Sequence, residues 1–196
     1  MSIVDRAKNI IMTPKTEWPV IAGEEPNAAQ IVSGYVIPLA LIPAVASIIG
    51  YGLVGRGVVT SFTMGIAMAI IGFIAAVAGV YLTAFVVDFL APNFGSQKNF
   101  GRAMQLVAYS YTPAWVAGIF NIIPVLGFLS LIAGIYGLYL LYLGFPHTMK
   151  TPADKVVVYM VVAIIVLIII SAILSAILTA IVFGIFGLSA LSMMAS

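Results

Sequence analysis

The 196-residue chain is 63% hydrophobic and 7% charged, with a mean hydropathy of +1.22, where a soluble domain carries about 45–50% and about 25%. Polar side chains are too few to cover a globule of this size, so a water-soluble fold is excluded and lipid must solvate most of the surface. Eight Lys and Arg against six Asp and Glu leave a net charge of +2, too sparse for a nucleic-acid face, and the lack of cysteine removes disulfides, thiolate nucleophiles and Cys-based metal sites.

Residues 1–30 read as a cytoplasmic leader. In "SIVDRAKNIIM", Ile3, Val4, Ala7, Ile10 and Ile11 fall on one helical face and Asp5, Arg6, Lys8 and Asn9 on others, the pattern of an amphipathic interfacial helix. Ser2 with Asp5 resembles a capping box, Pro14 ends the segment, and Trp18 suits the headgroup belt. Asp5, Arg6, Lys8, Lys15, Glu17, Glu24 and Glu25 leave no apolar stretch for a cleaved signal peptide, so the leader is expected to be retained.

Charge-free runs then set the number of crossings, at about 20 residues per helix. Spans are expected over 31–54, 58–87, 103–120, 125–143 and 156–187. The third and fourth come from one long run, broken at "NIIPVLG" by Asn121, Pro124 and Gly127. Pro38, Pro43 and Pro113 are expected to bend the first and third spans. The fold class is therefore an all-α integral membrane protein, with five transmembrane helices after an interfacial helix. A cytoplasmic N-terminus puts Arg6, Lys8, Lys15, Lys98, Arg102, Lys150 and Lys155 inside and only Arg56 outside, with the C-terminus outside.

Two helix faces look suited to close packing. Gly65, Ala69, Gly72, Ala76, Gly79 and Thr83 recur at alternating four- and three-residue steps in the second span, and Ser171, Ser175 and Thr179 recur every fourth residue in the fifth. In the third span Arg102, Gln105, Tyr109 and Thr112 share a face. Tyr136, Tyr139 and Tyr142 lead toward "GFPHTMKTPADK", and Tyr81 and Asp88, seven residues apart, share a face at the end of the second span. These elements end on one side of the bundle, so Asp88, Arg102, Gln105, Tyr109, Tyr139, Tyr142 and His147 form a candidate polar pocket about 10 Å deep. Arg102 or Lys98 is the natural partner of Asp88, and two readings of that pair stay open: an ion or substrate site, or a salt bridge that pins the loop. One His without Cys gives no metal set.

The succession "TEWPVIAGEEP", "YVIPLALIPA", "DFLAPNFGSQKNFGRAMQLVAYSYTPAWV" and "YGLYLLYLGFPHTMKTPADKVVVY", before a last apolar span, resembles the bacterial branch of the Yip family. These are five-span membrane proteins named for interaction with Ypt/Rab GTPases. The resemblance implies a non-enzymatic role, in vesicle traffic at the Golgi and ER for eukaryotic members, and a plasma (inner) membrane location for a prokaryotic one.

No nucleophile–base pair, carboxylate pair or phosphate-binding glycine loop can be assembled, so neither an enzyme nor a cofactor is expected. The leading reading is a membrane scaffold or organising factor acting through its cytoplasmic face, with the bilayer as its first partner and a second copy of the chain or a cytoplasmic protein as further ones. The other is a small channel or transporter using the pocket around Asp88 as a vestibule.

Overall fold

The computed structural model describes residues 1–54 and 62–194, the side chains of 53, 54, 64, 124 and 178–194 excepted. All regular structure among them is helical. Helix α1 (Ile3–Met12) is capped by the Ser2 hydroxyl, which accepts from the Asp5 amide, and α2 (Pro14–Gly23) starts on Pro14, whose missing N–H costs nothing at a first helical position. After a short linker come α3 (Ala28–Ile31), a π-helical turn at Val32–Val36, α4 (Ile37–Ile49) and a second π turn at Gly50–Val54. The first π turn precedes Pro38, whose ring nitrogen cannot donate back to Gly34, so the expected bend takes the form of a local loosening of the ladder.

Helix α5 (Phe62–Leu90) continues through a 3-10 turn at Ala91–Phe94. Gly95 then reverses the chain at φ +69°, in the left-handed region that glycine enters without strain, and the Ser96 amide closes onto the Ala91 carbonyl. Helix α6 (Phe100–Ser110) begins under an Asn99 cap, and α7 (Thr112–Ala117) follows directly. Two 3-10 turns, Gly118–Ile122 and Pro124–Leu126, make the reversal expected at "NIIPVLG" and lead into α8 (Phe128–Thr148) and α9 (Val156–Met194).

Four segments are long and apolar enough to cross a bilayer: Ala28–Gly52, Gly65–Phe94, Phe128–Thr148 and Val156–Ile177. The third expected span, 103–120, is instead a broken helix. Pro113 lacks the N–H that would bond Tyr109, and the Thr112 hydroxyl donates to that freed carbonyl at 2.8 Å, so α6 and α7 meet at Tyr111 rather than running on. Helix α8 also extends past the expected 143, through Pro146 and His147 to Thr148. Arg56 and the 58–61 start of the second expected span lie outside the described residues.

The leader departs most from expectation, because it belongs to the bundle. Ile10, Trp18 and Ile21 join one core with Val36, Val87, Leu106, Leu140 and Phe145. Trp18, expected at the headgroups, has no exposed surface. A Cβ on Gly144 would lie 2.5 Å from Leu106 Cδ1 and 2.7 Å from Trp18 Cζ2, so the bare glycine is what lets the indole reach α8. At the same end the two inter-helix loops are tied together: the Gln97 amide donates to the Met149 carbonyl at 2.8 Å and the Ser96 hydroxyl to Thr151 Oγ1 at 2.8 Å.

Gly144→Ala is expected to lower the melting temperature in detergent, by the ~1–3 kcal/mol typical of overpacking. Gly72→Ala is expected to be neutral, because a Cβ there meets nothing within 4 Å.

Candidate functional site

The polar centre lies where the leader meets α6. Arg6 sits on the inner flank of α1, between Ile3 and Ile10 in helical register, and is 6% exposed. Its guanidinium donates to Glu17 of α2 and to Glu24 just beyond α2. Glu17 and Glu24 are seven residues apart, two turns along one face, which is why one guanidinium can bridge both. Glu17 is 4% exposed, so the Arg6–Glu17 pair is held inside the protein, while Glu24 reaches its edge.

The other face of Arg6 is aromatic. Its Cζ lies 5.4 Å from the centroid of Tyr109, within the range of a cation–π contact. Tyr109 takes Tyr35 edge-on at 4.7 Å and Trp18 at 6.5 Å, and the Tyr35 hydroxyl bonds the Thr112 hydroxyl at 2.8 Å. Around the rim, Arg102 donates to the Glu24 carbonyl at 2.8 Å and to Gln105 Oε1 at 3.0 Å, and Gln105 Nε2 faces the Ile21 carbonyl at 3.4 Å. Beside this centre lies an open cavity of about 440 Å³ whose walls include Arg6, Glu24, Glu25, Gln30, Tyr35, Gln105 and Tyr109.

Of the seven residues expected to share a pocket, Arg102, Gln105 and Tyr109 do come together here. The other four stand elsewhere. Tyr139 and Tyr142 are each 42% exposed on the outer flank of α8, and Tyr139 contributes instead to a second, shallower cleft with Met12, Lys15 and Tyr136. His147 is half-buried at the end of α8 and Asp88 half-buried near the end of α5. Asp88 makes no ion pair with Arg102 or Lys98, and its Oδ1 is buried without a hydrogen-bond partner. Arg102 is occupied by the leader, which sequence spacing within α6 could not reveal.

The small-residue row of α5 packs at its ends. Gly65, Ala69 and Thr83 are buried, Ala76 and Gly79 half-buried, and Gly72 exposed. On α9, Ser171 and Ser175 face outward and the side chain of Thr179 lies outside the described residues. Arg6, Glu17, Glu24 and Tyr35 were missed by the reading of the sequence. The available signals were the seven-residue step from Glu17 to Glu24 around Trp18 and the position of Arg6 inside an otherwise apolar stripe. Among the described residues no three His, Asp or Glu side chains gather as a metal site would need.

A polytopic helical bundle with exposed Ile, Val, Leu and Phe along every long helix is a multi-pass membrane protein. The Yip1 domain model matches residues 8–176, and the chain belongs to the Yip1 family. It is 24% identical over 119 residues to the inner membrane protein YohC of Escherichia coli K12, covering 58% of this chain and 61% of YohC, and equally to YohC of Escherichia coli O6:H1. The chain thus spans about three fifths of the length of the curated relatives it matches. No solved structure matches it.

Arg6→Met is expected to destabilise the protein by about 3–5 kcal/mol, because it leaves Glu17 buried and unpaired. Arg6→Met combined with Glu17→Gln and Glu24→Gln should recover most of that loss. Thermal melts together with protease sensitivity of the 24–27 linker measure both.

Proposed function

We propose that this chain is a non-enzymatic protein of a prokaryotic inner membrane that organises the membrane through its cytoplasmic face. One observation carries the reading. The leader is clamped to the bundle by Arg6, yet it leaves Met1, Val4 and Met12 each more than two thirds exposed beside Lys8 and Lys15. Apolar side chains interleaved with lysines suit the acyl–headgroup boundary, and a rigid mount would transmit contact there to the whole bundle. The name of the YohC relatives supports the membrane, and the distribution of cations supports the orientation. Five crossings follow if the broken α6–α7 segment is counted as one. A second copy of the chain, or a cytoplasmic protein, would add to the same face.

Proteoliposomes of the wild-type chain are expected to differ in morphology from protein-free vesicles, and Val4→Asp with Met12→Asp to abolish the difference without changing the melt. Normal vesicle shape with the wild type, together with no partner retained in detergent pull-downs, would remove this reading.

A second reading, a small ion channel or transporter, is favoured by the unpartnered Oδ1 of Asp88. It requires flux of protons or cations into liposomes that Asp88→Asn reduces at an unchanged melting temperature. Against it, Asp88 does not line the large cavity, and Tyr35 in that cavity's wall is itself buried and bonded to Thr112.

A further inference from the structure

Where α6 gives way to α7, five segments leave a second, partly open cavity of about 130 Å³, bordered by α5, α6, α7, α8 and α9. Its wall is apolar, with Val107, Gly134, Gly137, Leu141 and Leu167 among its members, apart from three hydroxyls. Two of these satisfy each other, Thr83 and Tyr111 lying 3.2 Å apart. The third, Ser110 Oγ, is buried with no partner, on a residue only 5% exposed. A buried hydroxyl without a partner is costly, so the cavity is asking for one oxygen or nitrogen at a defined place.

Depth narrows what can supply it. Ser110 stands ten residues beyond Phe100, so about 15 Å along α6 from the charged end that carries Lys98 and Arg102. That is about half of a ~30 Å hydrocarbon core. Phospholipid ester oxygens are held near the headgroups, and only their methylenes reach this level. An acceptor supplied from the lipid at this depth belongs to an apolar molecule free to sit in the middle of the bilayer. Size narrows it again, since the cavity compares with the ~150 Å³ apolar cavity that holds a benzene ring.

We infer that this cavity binds the ring of a lipid-soluble quinone, with one ring carbonyl accepting from Ser110 Oγ and the alkyl tail leaving into the bilayer past Leu138, which is 44% exposed. This site is separate from the Arg6 centre. It lies on the other side of α6, where Val107, Ser110 and Ala114 follow in helical register, and it does not depend on the scaffold reading.

The test uses the full chain in nanodiscs and decylbenzoquinone as the probe, read by quenching of tryptophan fluorescence. Trp115 is a near reporter, its ring centroid 5.9 Å from that of Tyr111. Saturable quenching at one quinone per chain is expected for the wild type, with binding about tenfold weaker in Ser110→Ala, the loss of one hydrogen bond. Gly134→Leu should abolish saturation at an unchanged melting temperature, because a Cβ there meets nothing within 4 Å and the side chain would fill the cavity. Non-saturating quenching equal in all three proteins would overturn the inference. So would displacement of the quinone by decane with equal affinity in wild type and Ser110→Ala, which would make the cavity a cleft for acyl chains.

Discussion

A single guanidinium buried between two carboxylates organises this molecule. In lipid, apolar helix surfaces gain little by leaving their solvent for one another, so the contacts that choose one arrangement over many are polar or tightly fitted. Arg6 supplies the polar kind. It joins α1 to α2 through Glu17, joins both to the linker through Glu24, and rests on the ring of Tyr109 in α6. A buried ion pair is weak evidence for extra stability, since desolvation offsets much of the attraction. Its value lies in register. An amphipathic leader held only by Ala7, Ile10 and Ile21 could slide or rotate on the bundle, whereas a guanidinium with two fixed acceptors has one seat.

The fitted kind of contact completes that seat. Trp18 enters the space left by Gly144, and Tyr136 donates to the Ile11 carbonyl at 2.7 Å, so α8 holds the leader at two heights. The same side of the bundle carries the bonds from Gln97 to Met149 and from Ser96 to Thr151, which join the α5–α6 turn to the α8–α9 turn. Tyr159, from the start of α9, donates to the Val87 carbonyl and stacks on Phe94 at 4.6 Å. Beyond that anchor α9 shows mostly outward Ile, Val and Leu, and Ala163 is its last buried residue among those described. The polar fastenings thus concentrate at one end, and the other end is held by apolar packing such as Pro43 on Gly118.

Much of the architecture was legible because lipid imposes length and composition on a spanning helix. Four segments met that rule and overlap the charge-free runs that marked them, and the reversal falls at the "NIIPVLG" stretch. The amphipathic start of the chain was legible too, but its partner was not. A periodicity argument gives a helix its apolar face and cannot say whether lipid or protein will cover it. For α1 it was protein, and the flanking Arg6 went inward with that face. The pocket around Asp88 failed for a related reason. Residues expected at one end of a bundle can face opposite ways: Tyr139 and Tyr142 are exposed on α8, and Arg102 turned toward a leader that had been treated as separate.

The break between α6 and α7 then has a physical place in the whole. Interrupted backbone is tolerated at membrane depth only where protein surrounds it. Residues 103–110 are all buried, the Tyr111 amide still reaches the Val107 carbonyl at 3.1 Å, and Thr112 occupies the Tyr109 carbonyl that Pro113 abandons. Because other helices shield it, this segment does not need to be as apolar as its neighbours. It is the one that carries Arg102, Gln105, Tyr109, Ser110 and Thr112. One face of α6 therefore serves the Arg6 centre and its open cavity, and another serves the apolar cavity behind it. The feature that made the third segment the poorest membrane span in the sequence is what lets it line both.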